Sequence, residues 1–429
     1  MSGTTIDTVR GRRVWDSRGR PTVEVEISLA AGAVGRAIAP AGASTGSGEA
    51  VDRRDGGSAF GGYDVTGAVA SVNGEIAAAL AGRDSADQAA VDRFLIDLDG
   101  TENKGRLGGN AMIATSMAVA HAAAAAEGLP LWRHFGGEAA DTLPLPEIQI
   151  FGGGAHAASR VDIQDFMVIA TGAADYVQAL DWTAEVYRTA GDLMAEAGLL
   201  QGVADEGGFW PAFDSNEQAL DMLVKAIERA GFHAGDEVAI SLDVAASEFG
   251  KSGHYRLGLE DRALDSDGLC ALLLDWLDRY PIVSIEDPLA EDDEAGLIRF
   301  TAAAGDRVQI IGDDYLVTNA DRVEAAAARK ACNAVLVKPN QAGTLTETRA
   351  AFDAARSAGW GAVISARSGE TEDVTIVHLA VGWGAHQLKV GSFARSERMA
   401  KWNEGLRIAD TLGGNGRLPD AVEFPWGRI

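Results

Sequence analysis

The chain has 429 residues, 47% of them apolar and 23% charged, an ordinary globular balance that excludes wholesale disorder. At about 150 residues per domain, the length allows two or three domains and a core that needs neither disulfides nor structural metals. Acidic side chains outnumber basic ones, 63 to 37, for a formal charge of −26. That argues against nucleic-acid partners and against docking on an anionic membrane, while an anionic substrate remains open to a site that carries its own cations.

The first twenty residues (MSGTTIDTVRGRRVWDSRGR) lack an apolar stretch, so no signal peptide is expected. Residues 22–29 (TVEVEISL) alternate apolar and polar and predict a half-buried strand. Residues 39–48 (APAGASTGSG) have no period and read as a small-residue loop. Residues 65–80 and 110–126 read as helices. Residues 136–146 carry glycines and prolines and mark a boundary, so residues 1–140 are expected to form an α+β unit and residues 141–429 a second one. No run of about 20 apolar residues offers a membrane span. The cysteines, Cys270 and Cys332, stand in no metal-like spacing, which fits a reducing cytoplasm.

Beyond residue 140, short apolar runs alternate with helix-like stretches, and several runs end in a polar or charged residue. VAISLD ends at Asp243, PIVSIED supplies Glu286 and VQIIGDD ends at Asp313 and Asp314. AVLVK ends at Lys338, GAVISARS at Arg367 and Ser368, and HQLK at Lys389. Intervals of this size fit βα units. Apolar strands with polar C-terminal ends describe a (β/α)₈ barrel with its site on that face, and a doubly wound open sheet is the alternative. Three acids at successive strand ends are hard oxygen ligands suited to Mg²⁺. A lysine beside such a cation loses its proton more readily and can serve as a base on a carbon acid. Arg367 with Ser368 offers a fork and a hydroxyl for a phosphate or carboxylate. Glu206, in Asp205–Glu206–Gly207–Gly208, reads as a loop acid, and His156 follows a glycine run without dinucleotide spacing.

Ten stretches, in order, then resemble the enolase family. They include DSRGRPTVEVE (16–26), GASTG (42–46), DEGGF (205–209), LDVAASEF (242–249), NQAGTLTET (340–348), RSGETED (367–373) and ARSERMAKWN (394–403). The resemblance implies an α/β fold, an enolase-type (β/α)₈ barrel with an N-terminal α+β capping domain, and two Mg²⁺ ions per site. It implies Asp243, Glu286 and Asp313 as ligands of the first ion, and Ser44 as the protein ligand of the second. Lys338 matches the base that removes a proton α to a carboxylate, and Glu206 the acid that protonates the departing hydroxyl. Lys389 matches a carboxylate-binding lysine, Arg367 and Ser368 a phosphate clamp, and His156 and Gln164 pocket residues. A homodimer or homo-octamer is implied as well.

The chain departs from the family pattern at several positions. Ala366 stands in place of a histidine beside the phosphate, and Asp165 in place of a glutamate. Gly152 replaces an asparagine, Ala41 a serine and Ala204 a glycine, and Pro339 follows Lys338. Most of these losses remove side-chain volume. They lead to the expectation of a substrate enlarged at phosphorus, a phosphonylated carboxylate of the type used by carboxyphosphonoenolpyruvate synthase in phosphinate antibiotic biosynthesis. The alternatives are an ordinary enolase acting on 2-phosphoglycerate and a non-catalytic binding or scaffold protein.

Overall fold

The computed structural model describes residues 3–427. Strands β1 (Ile6–Trp15), β2 (Pro21–Leu29) and β3 (Val34–Ile38) form an antiparallel meander. The alternation of β2 is real, yet most of the strand is buried. Its polar face is covered too: Arg12 and Arg36 lie against Glu24. The helix Gly109–Glu127, close to the expected 110–126, lies across β2 and β3 and is buried along most of its length. Its alanines let backbone meet backbone. A Cβ built on Gly35 would stand 2.1 Å from the Ala122 nitrogen, so only glycine fits there.

The expected helix over 65–80 is one helical stretch with a π turn, Val72–Ile76, in its middle. The turn aims Asn73 at β1, where its side chain donates to the Gly11 carbonyl (2.9 Å) and accepts from the Gly11 N–H (2.8 Å). A π bulge of this kind re-aims one side chain at little cost to the rest of the helix.

The second half closes into an eight-stranded barrel. Its strands are β4 (Leu145–Gly152), β5 (Asp165–Ile169) and β6 (Ala239–Asp243), followed after a small three-stranded sheet by five more. The small sheet comprises β7 (Gly250–Lys251), β8 (His254–Leu257) and β9 (Arg262–Asp265). The remaining barrel strands are β10 (Ile282–Glu286), β11 (Gln309–Gly312), β12 (Ala334–Val337), β13 (Gly361–Ser365) and β14 (Gln387–Ser392). β14 pairs with β4 and closes the ring, so the open-sheet alternative falls.

One strand departs from the plain eightfold pattern: β5 runs antiparallel to both β4 and β6. Its first residue therefore sits at the face where the parallel strands end. Asp165 pairs in register with Gly152 on one side and Asp243 on the other, and Asp243 pairs with Glu286. The barrel interior is also less apolar than its strands suggest. Ser284 donates to Gln309 (3.1 Å), Gln309 donates to Gln387 (2.6 Å), and Ser241 donates to the buried Glu147. Among the described residues, no single helix is long and apolar enough to cross a membrane.

Candidate active site

The mouth of the barrel gathers the strand-end side chains that the sequence singled out. Asp243 and Glu286 end β6 and β10, Asp313 follows β11, Lys338 follows β12, Arg367 and Ser368 follow β13, and Lys389 lies within β14. All are buried. One cavity is lined by Lys338, Lys389, Arg367, Ser368 and Glu206, with His156, Gln164, Asp165, Asp243 and Ser44 completing its wall.

The electrostatics centre on two lysines. The Lys389 ammonium donates to Asp243 (2.9 Å) and Glu286 (2.6 Å) and lies 3.3 Å from Asp165. Burial alone would lower its pKa, but Asp243, Glu286 and Asp165 together hold it well above the ordinary lysine value. Lys338 donates to Asp313. Burial opposes its charge as well, and Asp313 overcomes that and raises it. Asp313 is lowered in turn: burial works against its charge, and the neighbouring Lys338 prevails. Glu286 goes the other way, pushed well above the carboxylate range by burial and by Asp243.

The donor set fits a divalent cation. Asp243, Glu286 and Asp313 are buried carboxylates at adjoining strand ends, Asp243 lines the cavity, and Glu286 keeps one buried oxygen with no hydrogen-bond partner. Hard oxygen donors of this kind suit Mg²⁺. The ligand atoms of Asp243, Glu286 and Asp313 do not fall together as a compact trio; the first two share the Lys389 ammonium and the third takes Lys338. The tighter acidic trio is Asp287, Asp313 and Asp314. The Asp287 carboxylate is already occupied, accepting from the backbone N–H groups of Asp313 (2.9 Å) and Asp314 (2.8 Å). Its role is to fix the turn that presents Asp313.

The opposite wall is built around His156. Its Nδ1 lies 3.0 Å from Asp165 and its Nε2 lies 3.1 Å from the Ser368 hydroxyl and 3.6 Å from Glu206. Burial disfavours the imidazolium, yet Glu206 and Asp165 raise the pKa from 6.5 to about 9. A group whose folded pKa is raised contributes stability that is complete below its unfolded pKa and is lost as pH climbs through the folded one. The stability advantage of the unliganded parent over His156→Gln is therefore expected to be largest below pH 6.5 and to shrink between 6.5 and about 9. Urea titrations across that range check this, and an advantage that grew with pH would contradict it.

Sequence reasoning missed Gln149, Glu49, Gln341 and Arg398. Gln149 on β4 donates to Asp165 and accepts from the Gly208 N–H (2.9 Å), tying the loop of Glu206 to β5. A polar residue inside the apolar run LPEIQIFG was the available signal. Arg398 is fully buried and donates to the carbonyls of Arg367 (2.7 Å), Ser368 (2.5 Å) and Val390 (2.8 Å). Nothing local in sequence marks either partnership.

The altered positions behave differently from one another. Ala366 lines the cavity, as the volume argument requires. Gly152 does not, and a Cβ placed there would meet the Ala204 methyl at 2.8 Å. The side chain lost at 152 is thus matched by the methyl gained at 204. Ala41 also lies away from the cavity: it exchanges backbone hydrogen bonds with Gly369 (2.9 and 2.8 Å), and its carbonyl accepts from Arg18 (2.9 Å). Of these three volume losses, only Ala366 opens space at the site.

Known proteins agree with this architecture. Residues 6–135 match the family described as the enolase N-terminal domain, and residues 140–421 the enolase C-terminal TIM barrel domain. The chain is 49% identical over 427 residues to Enolase 1 of Desulfitobacterium hafniense (strain Y51), covering 99% of this chain and 98% of that protein. It is 51% identical over 411 residues to an enolase of Rubrobacter xylanophilus, covering 96% of each. With the reversed strand, the closed ring and the polar mouth in place, this likeness over almost the whole length shows that the chain belongs to the enolase family and is an enzyme of the hydro-lyase class.

Proposed function

We propose that the chain is an ordinary enolase, dehydrating 2-phosphoglycerate to phosphoenolpyruvate. The observation that carries this reading is the convergence of Lys338, Glu206, Lys389 and the Arg367–Ser368 pair on one cavity. The substrate is then a small phosphorylated carboxylate, and the neighbouring relatives bear the enolase name.

In this reading, Lys338 takes the proton α to the carboxylate, and Glu206 gives a proton to the departing β-hydroxyl, which leaves as water. A lysine must be neutral to act as a base. The ion pair with Asp313 keeps Lys338 charged, so base activity requires Asp313 to be engaged elsewhere. That suits its assignment, with Asp243 and Glu286, as a holder of the first Mg²⁺, Ser44 serving the second. Bound Mg²⁺ supplies positive charge to a carboxylate that gains a second negative charge as the proton leaves. Lys389 faces the same carboxylate, and Arg367 and Ser368 hold the phosphate. His156 and Gln164 complete the pocket, residues 1–140 cap the barrel of residues 141–429, and the molecule works as a cytoplasmic homodimer or homo-octamer.

The enlarged-substrate reading rests on volume, and its support narrows to Ala366 and the one methylene lost at Asp165, both of which line the cavity. Gly152 is compensated by Ala204, and Ala41 lies outside the cavity. The deciding experiment is Mg²⁺-dependent turnover of 2-phosphoglycerate by the purified protein, followed by the ultraviolet absorbance of the enol product. Robust turnover is the expected result. Folded, Mg²⁺-binding protein that ignores 2-phosphoglycerate would overturn the ordinary reading and return attention to a compound with an added group on phosphorus beside Ala366.

A further inference from the structure

The Arg367 guanidinium is held from the side of the small-residue loop. Its Nη1 donates to Glu49 (2.9 Å) and to Asn340 (3.2 Å), and its Nη2 donates to the Ser44 carbonyl (3.0 Å) and to the other Glu49 oxygen (3.4 Å). Glu49 thus grips the fork with both oxygens, an arrangement that fixes orientation as well as position. The Glu49 carboxylate also accepts from the Gly46 N–H (3.0 Å), inside the loop, and from Gln341 (3.2 Å), which itself donates to Asp313 (2.8 Å). The Glu49 and Arg367 side chains are only 8% and 3% exposed, so the pair is screened little by water.

We propose that Glu49 is the positioning residue that couples seating of the Ser44 loop to the anion fork of Arg367. One carboxylate ties together the loop backbone, the guanidinium and, through Gln341, the Asp313 carboxylate. The grip engages both Nη atoms of the guanidinium. The close approach is built in: a Cβ on Gly42 would lie 1.9 Å from Arg367 Nη2. The proposal deepens the enolase reading, since it names what holds the phosphate clamp in place.

The test compares Glu49→Gln and Glu49→Asp with the parent, using inorganic phosphate as the probe in the presence of Mg²⁺. Calorimetric phosphate affinity is read beside protease cleavage within residues 39–48, and neither readout needs turnover. Both variants are expected to bind phosphate about tenfold more weakly and to lose phosphate protection of the loop, with Glu49→Asp the milder. For the turnover substrate, KM is expected to rise more than kcat falls, and Glu49→Gln combined with Arg367→Lys is expected to be clearly less than additive. Tighter phosphate binding by Glu49→Gln would overturn the proposal, because Glu49 would then be a competitor for the fork. Full additivity with Arg367→Lys, or unchanged phosphate affinity, would overturn it too, as would a parent whose loop phosphate does not protect. Failure to turn over 2-phosphoglycerate alongside normal phosphate coupling would count against the substrate reading alone.

Discussion

Lys338→Ala is expected to lower kcat for 2-phosphoglycerate by about 10²- to 10⁴-fold, the range spanned by a positioned general base. The protein should remain folded, because Lys338 makes one ion pair and its removal leaves Asp313 with its hydrogen bond from Gln341. The informative companion is Glu206→Gln. If Lys338 is the base and Glu206 the acid, exchange of the substrate α-proton with solvent should vanish in Lys338→Ala and survive in Glu206→Gln, while net dehydration falls in both. Exchange that persisted in Lys338→Ala would remove the lysine from its assigned role, whatever happened to overall turnover.

Arg398→Met is expected to have the largest effect on stability, about 3–5 kcal/mol, the scale on which breaking a buried charged network is felt. Methionine matches the arginine stem but strips donors from the carbonyls of Arg367, Ser368 and Val390. Arg398 also lies 4.0 Å from Glu206, so one side chain braces the phosphate clamp, the strand of Lys389 and the acid together. The urea midpoint should fall with little change in slope. Arg398→Lys is expected to recover only part of the loss, since one ammonium does not reproduce the planar fork. A midpoint shift below about 1 kcal/mol in Arg398→Met would show the carbonyls to be satisfied by other means.

The strand ends of the second half were readable because six apolar runs stop at charged or polar residues, and seven of the singled-out side chains come from such ends. β5 escaped this logic. It runs backwards, so Gln164 and Asp165 stand at its start, where a parallel strand would carry nothing of interest. The resemblance assigned those two residues; the periodicity did not. Glu49 and Arg367 are 318 positions apart, and their meeting depends on how the first unit sits over the barrel. Volume arguments from sequence suffered similarly. Gly152 and Ala204 compensate each other only because β4 and the loop of Glu206 are neighbours, a fact that no single stretch contains. Ala366 and the shortened Asp165 are where the sequence inference and the cavity agree.

The order in which the mouth is encoded has a consequence for its assembly. Asp165, Asp243, Glu286 and Asp313 all precede Lys338 and Lys389 along the chain. Synthesis therefore delivers the acids before either counter-charge, and Lys389 arrives on β14, whose pairing with β4 is the contact that closes the ring. Without that seam, Asp243 and Glu286 lack the ammonium they share, and the final strand brings both the closing hydrogen bonds and that positive charge. Closure of the ring thus also delivers the ammonium that Asp243, Glu286 and Asp165 share. Refolding of this chain is expected to be faster where solvent cations screen the unfinished mouth.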